Sequence, residues 1–152
     1  MRLLGSSIVI VLALVGAGFL VMMFHGSQLE SEAPQYLSEA IPAIAAKWDP
    51  NELLKRGSPE LLKVASEDQV RELFEKFSPL GAFVRYDGAT GGAGWNYANG
   101  VTTVTGSYVA TATFENGQAV FTVELVKRND QWTISSFQIK GTWKKKKEPQ
   151  GT

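Results

Sequence analysis

The sequence predicts an α+β protein in which an N-terminal transmembrane helix precedes two to three helices packed on a curved, four- to five-stranded antiparallel sheet. Three observations predict this class. An uncharged apolar run begins the chain, apolar residues then recur at helical spacing, and an alternation with a period of two follows Pro79. The 152 residues leave room for one folded domain beyond the apolar run.

Composition excludes several classes of function. Lys and Arg together number 15 and so do Asp and Glu, and this balance argues against a general nucleic-acid binder. Cysteine is absent, which excludes disulfides, thiolate metal sites and cysteine nucleophiles. The one histidine, His25, ends the apolar run and has no partners there for metal binding or for Ser-His-Asp chemistry. We therefore expect no cofactor and no metal ion.

Residues 1–25 are predicted to form a transmembrane signal-anchor. Leu3–Phe24 contains no charged residue, and 17 of its 22 positions are apolar. As a helix rising about 1.5 Å per residue it would extend roughly 33 Å, enough for a bilayer core of about 30 Å. Arg2 precedes the run and no Lys or Arg follows before Lys47. The positive-inside bias therefore predicts a cytoplasmic N-terminus and a domain outside the cytoplasm.

A cleaved signal peptide is the alternative for this segment. Signal sequences end their apolar region at small residues, and Val15-Gly16-Ala17 offers such a site. Cleavage there would leave the apolar residues 18–24 as a new terminus, which suits a soluble protein poorly. We therefore expect a single-pass protein of the bacterial inner membrane, with a polar linker at 26–33 and a periplasmic α+β domain at 34–143.

The helices are predicted between Pro34 and Pro79. An apolar stripe with spacing i, i+4, i+7 and i+11, interrupted at Pro42, indicates the first helix: Leu37, Ile41, Ile44 and Trp48. Short helices are expected to start at Asp49-Pro50 and Ser58-Pro59, because an N-cap residue precedes a first-turn proline. Ser66-Glu67-Asp68-Gln69 is a capping box that opens the last helix.

The strands are predicted after Pro79. Leu80–Asp87 is the expected first strand, and Asn99-Gly100 and Asn116-Gly117 are typical of type I′ hairpin turns. If Glu115 faces Gln118, one face of the second hairpin is wholly apolar. Its predicted pairs are Phe114/Ala119, Ala112/Phe121, Ala110/Val123 and Tyr108/Leu125.

Two irregular stretches interrupt this pattern. The alternation in Gln131–Trp143 slips once, which predicts a β-bulge at Ser135-Ser136. Gly88–Gly94 lacks the Gly-Lys-Ser/Thr of a phosphate loop and the following helix of a dinucleotide loop. We interpret this glycine stretch as a flexible connection between strands.

The order of elements resembles a known superfamily. Leading helices, a meander and the pattern Asn116-Gly117 … Trp132-x-Ile134-x-x-Phe137-x-Ile139 resemble the cystatin-like and nuclear-transport-factor-2-like superfamily. Ile41-Pro42-Ala43-Ile44 with Trp48, followed by Leu53-Leu54-Lys55-Arg56, is similar to a group of uncharacterised bacterial envelope proteins that have an N-terminal hydrophobic segment. The likeness covers Pro34–Thr142 and implies a fold but no activity. In architecture alone, the chain also resembles inner-membrane assembly subunits of type IV secretion systems.

Three candidate sites follow. Because superfamily members often have a cavity between helices and sheet, an apolar ligand pocket is expected at Tyr108, Phe121, Leu125 and Trp132. The outer sheet face offers a partner surface at Val109, Val120 and Val126. The basic tail of residues 144–152 is expected to be disordered and to contact anionic lipid or an acidic partner. The residues predicted for this contact are Trp143, Lys144, Lys145, Lys146 and Lys147.

The predicted inner face offers no acid or base, so no catalytic residue is expected. Asp87 acting with Tyr86, Tyr97 or Tyr108 is the enzymatic alternative. We expect a membrane-anchored envelope protein whose domain is a non-catalytic interaction or assembly subunit. Its expected partners are the membrane and another envelope protein or membrane complex, and not nucleic acid. The alternative function is a pocket for a small apolar molecule, as a binding or an enzymatic site.

Overall fold

The computed structural model describes residues 5–12 and 27–144, and their fold is α+β. All paired strands are antiparallel, in the order β1-β5-β4-β3-β2. The strands are β1 (Gly5–Leu12), β2 (Phe83–Ala98), β3 (Val101–Phe114), β4 (Gly117–Arg128) and β5 (Gln131–Lys144). The helices are α1 (Ser27–Ala45), α2 (Pro50–Leu54), α3 (Pro59–Val64) and α4 (Glu67–Glu75), followed by a 3₁₀ turn, Ser78–Leu80. The predicted antiparallel sheet with helices is confirmed.

The sheet has two distinct ends. What we call the upper end carries the turns at Asn99-Gly100 and Asn129-Asp130, and the lower end carries the turn at Glu115-Asn116. Helix α1 starts at the upper end, where Glu32 contacts strand β4. The chain that follows α1 reaches the lower end, because the ring of Trp48 stacks on Phe114 with centroids 5.6 Å apart.

The N-terminal segment differs from its predicted structure in residues 5–12. These residues form β1 and pair with the outer edge of β5, from Gly5 opposite Lys144 to Leu12 opposite Phe137. The physical reason lies in the run Ile8–Val11, since β-branched residues favour strands. Among the described residues, no helix is long and apolar enough to cross a membrane. The other residues of the predicted span, 1–4 and 13–25, lie outside the described part.

Helix α1 is longer than the sequence pattern indicates. It begins at Ser27, within the predicted linker at 26–33, and it continues past both Pro34 and Pro42. Tertiary contacts outweigh the local proline signals, because Ala33 and Leu37 are fully buried in the core.

The three shorter helices begin where the sequence predicts. The Asp49 carboxylate accepts a hydrogen bond from the Asn51 amide at 2.9 Å, and Ser58 Oγ accepts one from the Leu61 amide at 3.3 Å. At Ser66 and Gln69 both hydrogen bonds of the capping box are present, at 3.2 and 3.0 Å. Each cap satisfies an amide that the helix itself leaves unpaired.

Strand β2 extends through the glycine stretch that was predicted to be a flexible connection. The whole of Gly88–Gly94 pairs with β3. Glycine is required at two positions of this hairpin. A Cβ added to Gly91 would overlap the Ser107 carbonyl oxygen of the partner strand and come within 2.8 Å of Tyr108 Cδ1, and one added to Gly106 would come within 2.7 Å of Tyr108 Cε2. Gly91 therefore permits the close approach of the two strands, and both glycines leave room for the Tyr108 ring.

The predicted turn at Asn116-Gly117 is displaced. Phe114 pairs with Gly117, so the turn residues are Glu115 and Asn116, and neither has the positive φ of a type I′ turn. Every predicted pair moves by two residues, which keeps the apolar face but changes the partners: Ala110 faces Phe121 and Tyr108 faces Val123. Contacts outside the hairpin hold this turn, since the Asn116 side-chain amide donates to the Pro79 carbonyl at 3.1 Å.

The predicted bulge in the last strand is confirmed. Glu124 pairs with Ser136 while Leu125 pairs with Ile134, which leaves Ser135 as the extra residue. Ser135 Oγ donates to the Glu124 carbonyl at 3.2 Å. The bulge returns Phe137 to the buried face, as the slip in the sequence pattern indicates.

Candidate interaction surface

Exposed apolar side chains concentrate on one hairpin. Of the seven large hydrophobic residues that are exposed in the described part, two lie on α3 and five on β2 and β3. The five, with their exposed fractions, are Val84 (52%), Trp95 (62%), Tyr97 (64%), Val101 (57%) and Val109 (43%). They fall on both faces of the hairpin, because Trp95 and Tyr97 alternate onto one face and Val101 and Val109 onto the other. Exposed apolar residues that recur along one face are candidates for an interaction surface.

The end of this hairpin, residues 95–102, is named the hairpin tip, and all eight of its residues are exposed. Asn99 and Gly100 both have positive φ, 52° and 77°, as a two-residue type I′ turn requires. Trp95 pairs with Val104, and Tyr97 pairs with Thr102. The two aromatic rings therefore leave the same face of the hairpin, the face that carries buried Ala93 nearer the core.

The hairpin carries no charge over a long stretch. No Asp, Glu, Lys or Arg occurs between Asp87 and Glu115. The strands pair with each other up to Ala98 and Val101, which satisfies the backbone groups that face each other across the hairpin. Strand β2 is the edge of the sheet and β3 pairs with β4 only from Val104, so the outward backbone groups on both sides of the tip have no strand partner. Removing this tip from water would therefore cost no charge desolvation, and its outward backbone groups would need water or another hydrogen-bond partner.

A polar group joins helix α1 to the sheet beside the tip. Lys127 Nζ lies 2.6 Å from Glu32 Oε1, and the Trp132 indole donates to the same oxygen at 3.4 Å. The hydrogen bond from Lys127 lowers the pKa of Glu32 below its ordinary value. Lys127 pairs with Val104, the cross-strand neighbour of Trp95, so the start of α1 and the hairpin tip share the upper end.

The predicted pocket residues do not form one group. Tyr108, Phe121 and Leu125 are buried in the core, whereas Trp132 lies at the upper end beneath Lys127, whose ammonium is 5.7 Å from its ring centre. The Tyr108 ring fills the space over Gly91 and Gly106. A ligand among the three buried residues would have to displace core side chains, and the pocket stays a prediction.

The predicted partner surface is uneven. Val109 is largely exposed, but Val126 is only 7% exposed. Val120 is partly buried. The three valines therefore do not present one continuous apolar patch, and Val109 is the member that a partner could reach.

The predicted contact of Trp143 and the basic tail with lipid or an acidic partner stays a prediction, and the structure places Trp143 in the core. Its side chain is buried, and its ring meets Phe77 edge-on with centroids 6.3 Å apart. Trp143 cannot enter a membrane interface without leaving the core. Lys144 ends β5 at the lower end of the sheet, and Lys145–Lys147 lie outside the described residues.

Asp87 is held as an anion on the outer surface of the hairpin. Thr113 Oγ1 donates to one carboxylate oxygen at 2.5 Å, and Arg85 Nε to the other at 2.8 Å. The Thr113 hydrogen bond lowers the pKa of Asp87, which is opposite to what a general acid at neutral pH needs. Burial raises the pKa of its neighbour Tyr86, whose hydroxyl makes no hydrogen bond to the described residues. In the described part, no three His, Cys, Asp or Glu residues are grouped to hold a metal ion.

Sequence reasoning did not single out the hairpin tip. It predicted the Asn99-Gly100 turn and treated Tyr97 only as a possible partner of Asp87. The signal was present, because Trp95 and Tyr97 alternate with Asn96 directly before that turn. An apolar face near a turn normally lies under other elements, and only the tertiary structure shows that these rings are left uncovered.

Comparison with known proteins does not assign this surface. No protein family, no curated protein and no solved structure matches the chain. The superfamily and envelope-protein resemblances therefore stay predictions.

Proposed function

We propose that this chain is a single-pass, membrane-anchored envelope protein whose cystatin-like α+β domain acts as a non-catalytic interaction or assembly subunit. Leu3–Phe24 would cross the inner membrane, and residues 34–143 would lie in the periplasm. The exposed apolar residues on the outer face of the β2–β3 hairpin, with Val109 as the central one, support the interaction role.

The core of the described residues favours binding over chemistry. Its buried polar or charged residues are Ser58 and Ser136, and Ser58 is engaged as a helix cap. General acid–base catalysis needs an ionisable group in a partly dehydrated site. In the described part, the carboxylates that form ion pairs do so on the surface, at α1, α2, α3, α4 and β2.

The membrane anchor and strand β1 exclude each other. If Gly5–Leu12 stays on the edge of β5, only residues 13–24 remain uncharged and apolar before α1. Twelve helical residues extend about 18 Å, which is short of a bilayer core of about 30 Å. The anchored chain must therefore leave the β5 edge, and the two arrangements can be told apart by experiment.

Fractionation tests the anchor. We expect the full chain, expressed in a bacterial host, to stay with membranes after an alkaline wash and to be released by detergent. Leu14→Arg places a charge at the centre of the span but outside β1, at a cost of about 3 kcal/mol for insertion. It should move the protein to the soluble fraction. Leu62→Arg, at an exposed position of α3, is the matched control and should change nothing. A soluble parent chain would contradict the anchor.

Cross-linking tests the competing strand. Val9 and Lys140 are Cα partners between β1 and β5, and the chain has no native cysteine. Val9→Cys combined with Lys140→Cys should cross-link in the detergent-free soluble Leu14→Arg chain and lose that cross-link in membranes. Complete cross-linking in membranes would show that β1 stays paired, which would remove the anchor.

Co-purification tests the interaction role. We expect the chain extracted from its native membranes in mild detergent to migrate in a complex with another envelope protein. Val109→Asp should dissociate that complex, because it puts a charge on the outer face of the hairpin. Leu62→Asp, equally exposed on α3, should leave it intact. A monomer in both the parent and the control would contradict the role.

A further inference from the structure

We propose that the hairpin tip, residues 95–102, docks into the lipid–water interface of the membrane and forms a second attachment point beside the anchor. This inference rests on the proposed membrane anchor, and it concerns a different surface from the outer face that carries Val109. The juxtaposition that supports it is an uncharged, aromatic hairpin end next to the first turns of α1.

The position of the tip follows from the register of the sheet. Trp95 lies opposite Val104, and Val104 lies opposite Lys127. Neighbouring strands are about 4.8 Å apart, so the backbones of Trp95 and Lys127 are separated by about 10 Å. Lys127 in turn contacts Glu32 of α1 at 2.6 Å.

The anchor would enter the domain at this same end. Glu32 is eight residues after Phe24, the last residue of the uncharged run, and α1 begins at Ser27 between them. Helix α1 then descends toward the lower end of the sheet. A bilayer that holds Leu3–Phe24 would therefore face the upper end, where the hairpin tip extends.

The chemistry of the tip suits an interface. Tyr and Trp prefer the headgroup region, where an apolar ring body and a polar N–H or O–H are both accommodated. Trp95 and Tyr97 present such rings at more than 60% exposure, and Val101 adds an aliphatic group. Because no charge occurs from Gly88 to Phe114, insertion needs no anionic lipid. A polar turn residue, Asn99, can remain hydrated among headgroups.

A labelled cysteine tests the contact in the full chain. The native chain has no cysteine, so Ala98→Cys in the tip provides a single site for an environment-sensitive fluorophore. In neutral phosphatidylcholine vesicles, we expect the emission of this label to be blue-shifted relative to the same label at Glu72→Cys. We also expect it to be quenched by a quencher that is carried on the lipid near the headgroup. Both should persist at high salt, because the tip carries no charge. Glu72→Cys, exposed on α4, is the matched site that should show neither change.

Paired substitutions test the rings themselves. Trp95→Ser with Tyr97→Ser should remove the quenching of the Ala98→Cys label, whereas Val84→Ser, on the same hairpin but outside the tip, should retain it. All three side chains are largely exposed, so the melting temperature of each variant should stay close to the parent's and serves as the check of folding.

The outcomes separate this proposal from the anchor. Protein that floats with the vesicles but shows the same emission at Ala98→Cys as at Glu72→Cys overturns the tip contact alone. Protein that does not float overturns both attachments. A photoreactive probe on Ala98→Cys in native membranes that yields protein adducts and no lipid adducts also overturns the tip contact, because it assigns the tip to a protein partner.

Discussion

The two ends of the sheet use tryptophan in opposite ways. At the lower end, Trp48 lies within 5.2 to 6.1 Å, centroid to centroid, of four phenylalanine rings: Phe74, Phe77, Phe114 and Phe121. At the upper end, Trp95 projects from the same buried-side face of the meander and is 62% exposed. The same kind of ring therefore packs against other rings at the lower end and is exposed at the upper end.

The cause of the difference is the distribution of the helices. Helix α4 and the 3₁₀ turn, Ser78–Leu80, gather at the lower end, where the 3₁₀ turn contacts β5 and hydrogen-bonds the Glu115-Asn116 turn. At the upper end, α1 contacts the sheet through the polar group around Glu32 and through buried Ala33, whereas the hairpin residues from Trp95 onward stay exposed. An alternating apolar pattern therefore predicts which face of a strand is apolar. It does not predict how far along the strand the helices cover that face.

Replacing each of the two tryptophans by alanine should give the greatest difference in the free energy of unfolding. Trp48→Ala should lower the free energy of unfolding by about 2–3 kcal/mol, because it removes a partly buried ring that packs against four others. Trp95→Ala should change it by less than about 0.5 kcal/mol, because its side chain is largely exposed. Denaturant unfolding of the full chain in one detergent measures both values.

The ring-conserving change at the lower end is the control for this comparison. Trp48→Phe keeps an aromatic contact and should cost less than Trp48→Ala. Equal losses for Trp48→Ala and Trp95→Ala would contradict the distinction between a packed end and an open end, since both rings would then be stabilising the fold alike.

Two glycines allow a second comparison of the lower and upper ends of the sheet. A Cβ on Gly141, at the lower end, would lie 2.8 Å from Phe77 Cδ1, whereas a Cβ on Gly100, in the hairpin tip, would meet nothing within 4 Å. Gly141→Ala should therefore cost about 1–3 kcal/mol through overpacking. Gly100→Ala should cost about 1 kcal/mol, through its φ of +77° alone.

Asparagine separates steric strain from backbone strain at these glycines. It tolerates positive φ, so Gly100→Asn should recover most of the stability lost in Gly100→Ala. Gly141→Asn should be at least as damaging as Gly141→Ala, because the space beside Phe77 is what limits it. Melting temperatures of the four variants test this, and recovery at position 141 would contradict the packing explanation.

Local signals in the sequence predicted local structure well. The side chains of Asp49, Ser58 and Ser66 each accept a hydrogen bond from a nearby amide, as their sequence contexts predict. The bulge at Ser135 is predicted by a slip in the apolar alternation of a single strand. These features depend on residues a few positions apart. The α+β class follows from them, because the change of period after Pro79 separates helices from strands.

Features fixed by distant residues were not predictable in this way. The turn at Glu115-Asn116 is set by contacts with the Pro79 region, and the glycine stretch is extended because it pairs with β3 along its whole length. The lysines that follow Trp143 place it in the predicted tail, yet its ring packs edge-on against Phe77 in the core. The hairpin tip is the opposite case, because its apolar residues are exposed where the alternation suggests a buried face. No sequence pattern shows which part of an apolar face the helices will leave uncovered.

The smallest expected effect concerns an ion pair near the upper end. Arg128, beside the Asn129-Asp130 turn, lies 2.8 Å from Glu60 of α3, and its hydrogen bond lowers the pKa of Glu60 from 4.5 to about 2. Because the folded-state pKa is lowered, the stabilisation is fully present above pH 4.5 and is lost as the pH falls toward 2. Both side chains are about 40% exposed, so solvent screening limits the contribution to about 1 kcal/mol or less.

Glu60→Gln should therefore flatten the fall in melting temperature between pH 4.5 and 2, with the effect reduced at high salt. Glu67→Gln removes the same charge from a pair with Arg71 inside α4, and it is the matched control. Hydrogen exchange locates the change: in the parent chain, acid should speed exchange at the Asn129-Asp130 turn more than at amides around Phe121, because ion pairs support the upper end and aromatic packing supports the lower end. Equal acceleration at both sites would mean that acid acts on the whole fold, and the contrast between the two ends would then not extend to electrostatics.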